Sequence, residues 1–265
     1  MITILFFMSA QKSKQEALIF DSIDKEKILS VKTYFLSDYG EKLIHKIIST
    51  ILTKYNRMDL LDMSYSAAKE LVINGTKANL KRVVFKDLGL DIYDPNDYAK
   101  GMLEFKDNLA EEKVIAYKPK FKKYDLPVIC TMYFNQNVLN IKVKNNFPLL
   151  AQEEEKIRTK FDRAKSFSSL IDFFMEHGDE SEGAGLGLTM VGIMLDESGA
   201  NKHSFSLYSS QEFNETVAKI EIPLNDDYKL KREVFEEEWS KSGLSKEEFR
   251  KKFSYTYKEF EFVNS

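Results

Sequence analysis

Glu70, Asn74 and Lys77 fall four and three residues apart inside a run, from about Leu60 to Lys81, that reads as a helix. That spacing puts a carboxylate, an amide and an ammonium on one helix face. A carboxylate so placed can accept a proton or orient a water or hydroxyl. An amide oxygen suits Mg²⁺, which prefers oxygen ligands, and an ammonium can reach a phosphate. A polar stripe that only faces water would use the same spacing. The opposite side carries Ala68, Leu71, Val72 and Gly75, small and apolar enough to lie against a sheet.

A second stretch supplies what the first lacks. Gly183, Gly185 and Gly187, with Leu186 between the last two, stand just before an apolar run from Thr189 to Leu195 that stops near Gly199. Without side chains the backbone N–H groups can approach an anion, and the start of the following helix adds its positive end. A glycine-rich hinge or a close helix contact would need the same residues. Carboxylate, metal-holding amide, ammonium and phosphate cradle together make the parts list for a nucleoside triphosphate site.

The elements that must position these groups follow from the pattern. Residues 127–144 read as a β-hairpin: Val128, Cys130, Met132 and Phe134 alternate, Asn135–Asn137 turn, and Val138, Leu139, Ile141 and Val143 follow. Residues 203–209 and 216–223 read as two more antiparallel strands. Residues 24–54 carry a helical pattern of Leu43, Ile44, Ile47, Ile48, Ile51 and Leu52. His45 lies on that helix, but no acid follows it directly and no second helix of a phospho-acceptor hairpin fits before residue 60. Asp94-Pro95 reads as a helix start for a helix to about Glu112. Lys118, Lys120, Lys122 and Lys123, interleaved with Tyr117, Phe121 and Tyr124, read as a solvated basic loop. Residues 150–180 read as helical, highly charged first and then amphipathic, and 228–262 read as two charged helices with a capping box at Ser245–Glu248.

Composition narrows the class. At 265 residues the chain can bury one sizeable core. With 39 basic and 42 acidic residues, a formal charge of −3, no global field favours nucleic acid or an anionic membrane. A single cysteine, Cys130, precludes an intrachain disulfide. Met1–Phe7 is apolar but lacks a basic leader and is too short to span a bilayer, so it reads as an edge strand unless the true start is Met8. The expectation is a cytoplasmic protein with no membrane span and no nucleic-acid partner.

The order of these stretches resembles the GHKL superfamily of ATP-binding domains, and within it the histidine-kinase-like ATPase branch. E-L-V-I-N-G-T-K-A-N at 70–79 is similar to that branch's asparagine box. V-L-N-I-K-V-K-N-N-F-P-L at 138–149 falls where a strand leads into the first glycine box, and K-I-R-T-K-F-D-R-A at 156–164 where the phenylalanine-named box lies. E-G-A-G-L-G-L-T-M-V at 182–191 resembles the second glycine box, and E-T-V-A-K-I-E-I-P-L at 215–224 the closing strand.

The resemblance implies an α/β two-layer sandwich, a mixed and mostly antiparallel sheet with helices on one face, plus extra helices. It implies an ATP-binding domain over 60–225 with a helical insertion at 81–123, an N-terminal extension at 1–59 and a helical tail at 226–265. It further implies that Asn74 holds Mg²⁺, Glu70 is the acid/base residue and Lys77 lies near the phosphates. Gly183, Gly185, Leu186 and Gly187 would belong to the phosphate loop, with 150–182 a lid, and Thr216 would lie near the adenine. The first glycine box departs from the pattern: Asn145 stands for the aspartate that accepts a bond from the adenine amine, and Phe147 and Leu149 replace glycines. An amide oxygen can still accept that bond. Two functions stay open: a stand-alone ATPase or kinase passing the ATP γ-phosphoryl to a partner or to water, and a catalytically weak, nucleotide-regulated interaction module. A protein partner or a second copy would dock through 81–123 and 228–262.

Overall fold

The computed structural model describes residues 2–5, 12–164, 187–197 and 202–254. Within them a six-stranded sheet carries the fold: β1 (Ile2–Leu5), β2 (Leu29–Thr33), β3 (Val128–Phe134), β4 (Val138–Asn145), β5 (Phe205–Ser210) and β6 (Glu215–Pro223). The spatial order is β1-β2-β3-β4-β6-β5. The β1–β2 pair is parallel and every other pair antiparallel. The expected hairpin and both later strands therefore lie in one sheet.

Alternation decides which face is covered. Leu29, Met132, Ile141, Ile220 and Phe205 form one row across the sheet, and Val31, Cys130, Val143, Ala218 and Leu207 the next. Against this face pack α1 (Lys12–Asp24), α2 (Asp38–Lys54), α3 (Leu61–Leu88) and α8 (Gly187–Glu197), joined with the strands in one apolar core. The architecture is the α/β sandwich expected. Each fully buried aliphatic side chain in it contributes roughly 1.5–3 kcal/mol of transfer free energy.

The helix α2 starts at Ser37, whose side chain accepts from the Gly40 N–H, and buries Leu43, Ile44, Ile47, Ile48, Ile51 and Leu52 in the predicted pattern. The helix α3 is longer than its sequence signal and ends at Gly89, which closes it in a left-handed conformation at φ 65°. Its C-terminal half leaves the sheet behind and builds a second core, in which Leu80, Val83 and Val84 meet Val114, Phe121 and Leu126.

Three expectations need correction. Residues 29–33 form the strand β2 rather than part of a helical stretch over 24–54, because Leu29 and Val31 pair beside Met132 and Cys130 and share their burial. The insertion holds three helices, α4 (Pro95–Asp107), α5 (Glu111–Ala116) and α6 (Lys118–Lys123), so the helix begun at Asp94 does not reach Glu112. The lysine cluster is helix α6, not a solvated loop, and the fully buried Phe121 anchors it in the second core. The N-terminal residues 1–59 contribute two strands and two core helices to the same sandwich as 60–225.

The helix α7 (Ala151–Ala164) follows β4. The chain closes with α9 (Lys231–Ser242) and α10 (Lys246–Lys252), the latter starting in a capping box of Ser245 and Glu248. Phe235, Phe249 and Phe253 cluster in tilted and edge-to-face contacts with centroids 5.0–5.7 Å apart. No helix among the described residues is long and apolar enough to cross a membrane.

Candidate functional site

Helix α3 presents two polar faces, one half-open and one buried. On the half-open face the Asn74 Nδ2 donates to Glu70 Oε1 at 3.0 Å, across one helical turn. Lys77 follows on the same stripe, half-buried. The start of α8 lies directly on Glu70: a methyl group built at Gly187 would overlap the Glu70 carboxylate. With any Cβ at 187 the Glu70 carboxylate would have to move aside. The approach also sets a carboxylate at the end of a helix whose first turn has N–H groups without intrahelical partners and a positive dipole.

On the buried face Gly75 and Asn79 meet the end of β4. The Asn145 Nδ2 donates to the Gly75 carbonyl at 3.0 Å and to Asn79 Oδ1 at 2.7 Å, while Asn79 Nδ2 donates to the Leu126 carbonyl at 2.6 Å. Gly75 suits this close approach, since a Cβ there would lie 3.1 Å from both Asn145 Oδ1 and a Val128 methyl, which would have to give by a few tenths of an ångström. Thr216 lies opposite Asn145 in the β4–β6 register and donates its hydroxyl to the Phe147 carbonyl at 2.7 Å. Phe147 itself turns toward the second core and lies under the Arg82 guanidinium, 4.5 Å from the ring centroid. The Leu149 N–H donates to Ser209 Oγ at 2.8 Å.

The structure thus brings Glu70, Asn74 and Gly187 together and places Asn145 and Thr216 as neighbours on the other side of α3. Gly183, Gly185 and Leu186 lie outside the described residues, as does the lid expectation for 165–182. Among the described residues no group of three or more His, Cys, Asp or Glu side chains is arranged to hold a metal.

A third cluster escaped sequence reasoning. Arg82 grips Glu153, in the first turn of α7, through two bonds of 2.9 and 2.7 Å, and Lys81 adds a third at 2.9 Å. The Leu150 N–H donates to the same carboxylate at 3.0 Å. Burial alone would raise the Glu153 carboxyl, but the Arg82 bonds and the charges of Arg82 and Lys81 hold it down at about 2. Lys81 is likewise pushed below its ordinary range, first by its own burial and despite Glu153, so the charged form is favoured at Glu153 and disfavoured at Lys81. One carboxylate, taken bidentately by Arg82, offsets the burial of Lys81 only in part, and the like charges of Arg82 and Lys156 add to that burial. The signal in sequence was a basic pair one turn past Lys77 and an acid in the first turn of the next helix after the β4 exit.

Comparison with known proteins places the chain only loosely. No family model matches it, and no solved structure matches it. It is similar to an uncharacterized protein of Treponema pallidum (strain Nichols), 31% identical over 212 residues, which cover 77% of this chain and 41% of that protein. The chain thus matches about two fifths of that relative's length.

Proposed function

We propose that the chain binds ATP with Mg²⁺ as a stand-alone histidine-kinase-like ATPase or kinase, passing the γ-phosphoryl to a partner protein or to water. The supporting observation is the Glu70–Asn74–Gly187 contact. It unites the base, the amide and the anion-favouring helix end that such chemistry needs, from segments 117 residues apart.

Asn74 fits a magnesium site: its nitrogen is spent on Glu70, which leaves Oδ1, a hard oxygen donor, on a half-buried residue of α3. Bound Mg²⁺ would supply charge neutralisation at the phosphate oxygens. Glu70 accepts the proton of the attacking hydroxyl or water, or orients it, with its carboxylate already fixed by Asn74. Lys77 serves the phosphates together with the N-terminal end of α8 at Gly187, and the resemblance assigns Gly183, Gly185 and Leu186 to the same phosphate loop. Asn145 and Thr216 serve the base. The cytoplasmic placement belongs to the same reading.

Equilibrium binding of labelled ATP with and without Mg²⁺, followed by a phosphate-release assay, tests it. Magnesium-dependent binding with slow phosphate release is expected, and absence of binding in both conditions overturns it.

The second reading is a nucleotide-regulated interaction module, and the exposed apolar residues of the insertion favour it. Tyr93 is 72% and Leu103 68% exposed on α4 or its approach, with Ile115 on α5 also exposed. Aromatic and aliphatic side chains displayed this way suit a docking surface. Light scattering of the native chain and of L103E distinguishes self-association from a monomer: under this reading a dimer dissociates on substitution.

A further inference from the structure

Helices α3, α4 and α7 meet around one tyrosine. A Cβ at Gly101 would overlap the Phe85 ring, so α4 is pressed against α3 here. Tyr98, three residues earlier on α4, packs its ring 5.8 Å from that of Phe85. Two ammonium groups approach the Tyr98 ring, Lys81 Nζ at 6.0 Å from its centroid and Lys156 Nζ at 5.7 Å. Tyr98 is 8% exposed, and its hydroxyl is buried without a hydrogen-bond partner among the described residues. Burial and the Glu153 charge push that hydroxyl up while Arg82 pulls it down, so it lies within the field of the ion-pair cluster.

The charges of this cluster do not balance. Lys81, Arg82 and Lys156 act on one another around a single carboxylate, Glu153, which already accepts from Arg82, Lys81 and the Leu150 N–H. Acids nearby on α4 and α7 are engaged elsewhere: Asp97 with the Asp91 N–H, Glu104 with Asn108, and Glu154 with Arg158. An ammonium has three donors, and Lys81 gives one of them to Glu153. Lys156 is exposed on α7 and so can close on the site from outside. Cations gathered at this depth are costly unless an anion joins them.

We propose that Lys81, Lys156 and Tyr98 form an anion site at the junction of α3, α4 and α7, which takes a dianionic phosphate group, free or in a phosphomonoester. Its two charges match the surplus of three cations over one carboxylate, and its oxygens accept from two ammonium groups and a phenol. A carboxylate ligand would bring a single charge and fewer acceptor sites. Lys81 stands eleven residues past Glu70, about 16 Å along α3 by helical rise. The site is therefore separate from the Glu70–Asn74–Gly187 contact and does not rest on the nucleotide reading.

Thermal midpoints and titrations of the full-length protein test it. Inorganic phosphate is expected to raise the native midpoint beyond potassium chloride of equal ionic strength, because a ligand of the folded state alone stabilises it. Methyl phosphate in the same assay separates the sources: a comparable rise assigns a phosphomonoester, and a rise with inorganic phosphate alone assigns the free ion. Y98F removes only the hydroxyl. Without phosphate it should match or exceed the native midpoint, since a buried hydroxyl lacking a partner costs stability, while its phosphate affinity should fall about ten-fold. K156M, at an exposed position that spares the fold, should weaken phosphate similarly. Asn74→Ala should keep the native phosphate affinity. No rise above chloride overturns the site, as does an equal rise in the native chain, Y98F and K156M. A Y98F midpoint well below the native one without phosphate shows that the hydroxyl is already satisfied, and overturns it too. Loss of phosphate binding in Asn74→Ala would move the anion to the other part of α3 and reject the junction. None of these measurements contains nucleotide, so they are decided apart from ATP binding.

Discussion

The Asn74 side-chain nitrogen and the Glu70 carboxylate are 3.0 Å apart on α3, and the first residue of α8 closes over the carboxylate. This bond fixes the rotamers of both residues before any ligand arrives. It commits the Asn74 nitrogen to protein, and neither the Asn74 oxygen nor the second Glu70 oxygen has a partner in this bond. Preorganised groups of this kind lose little freedom when a ligand binds.

Asn74→Ala removes the oxygen proposed for magnesium while sparing the core, since residue 74 is half-buried. Magnesium-dependent ATP binding is expected to be lost with the thermal midpoint unchanged within a few degrees. Glu70→Gln keeps the volume against Gly187 and an oxygen for Asn74 but removes the base. Binding should persist while turnover falls about 10²–10⁴-fold. Titration of labelled ATP and phosphate release separate the two effects, and equal loss of binding in both variants would assign Glu70 to structure instead.

Gly187→Ala places a methyl group on the Glu70 carboxylate, so either the side chain or α8 must move. We expect a destabilisation of about 1–3 kcal/mol, the usual cost of overpacking. Glu70→Ala in the same chain should relieve most of it, giving strongly non-additive midpoints in a double-mutant cycle. Additive losses would mean that the two residues are not in contact. The cycle needs no nucleotide and therefore tests the geometry apart from the function.

Cys130 sits in the middle of β3 and is buried, which pushes its thiol up to about 12. Little thiolate exists there at neutral pH, and reagents lack access. Alkylation is expected to be slow in the native protein and fast in denaturant, with a rate that follows global unfolding. Rapid labelling of the native chain would contradict the placement of β3 at the centre of the sheet.

The stripe Glu70–Asn74–Lys77 was legible because helical periodicity fixes which residues share a face, whatever the tertiary setting. The hairpin was legible because period-two burial runs through seven residues from Val128 to Phe134. β2 was not, since its five residues lie between helical patterns and become a strand only by pairing with β3. Helix α6 was hidden for a similar reason: four lysines surround the one side chain, Phe121, that packs inward. The contact of Gly187 with Glu70 and the amide chain from Leu126 to Gly75 are long-range relationships, which no local pattern encodes. Glu153 was visible as an acid near a helix start, but its two cationic partners come from another helix.

The Glu153 cluster makes the last prediction. Its carboxyl, held at about 2 against an ordinary 4.5, is bound in the folded state as a carboxylate. A depressed folded value contributes stability above the unfolded pKa and loses it as pH falls from about 4.5 through about 2. By linkage the contribution at neutral pH is about 3 kcal/mol, an upper figure because the side chain keeps 9% exposure and Lys81 is itself destabilised by burial. Glu153→Gln should therefore cost more at pH 7 than at pH 2.5, since it leaves Arg82 and Lys81 buried without a counter-charge. Chemical denaturation of both proteins across pH 2.5–7 reads the difference directly. The curves are expected to converge toward low pH, and a gap that stays constant across the range would show that Glu153 acts through shape rather than charge. Because Leu150 and Glu153 fix the start of α7 on α3, the same variant should also speed amide hydrogen exchange over 151–164 while leaving β3 and β4 protected. Exchange unchanged in α7, with the stability loss present, would place the anchoring of that helix elsewhere than at Glu153.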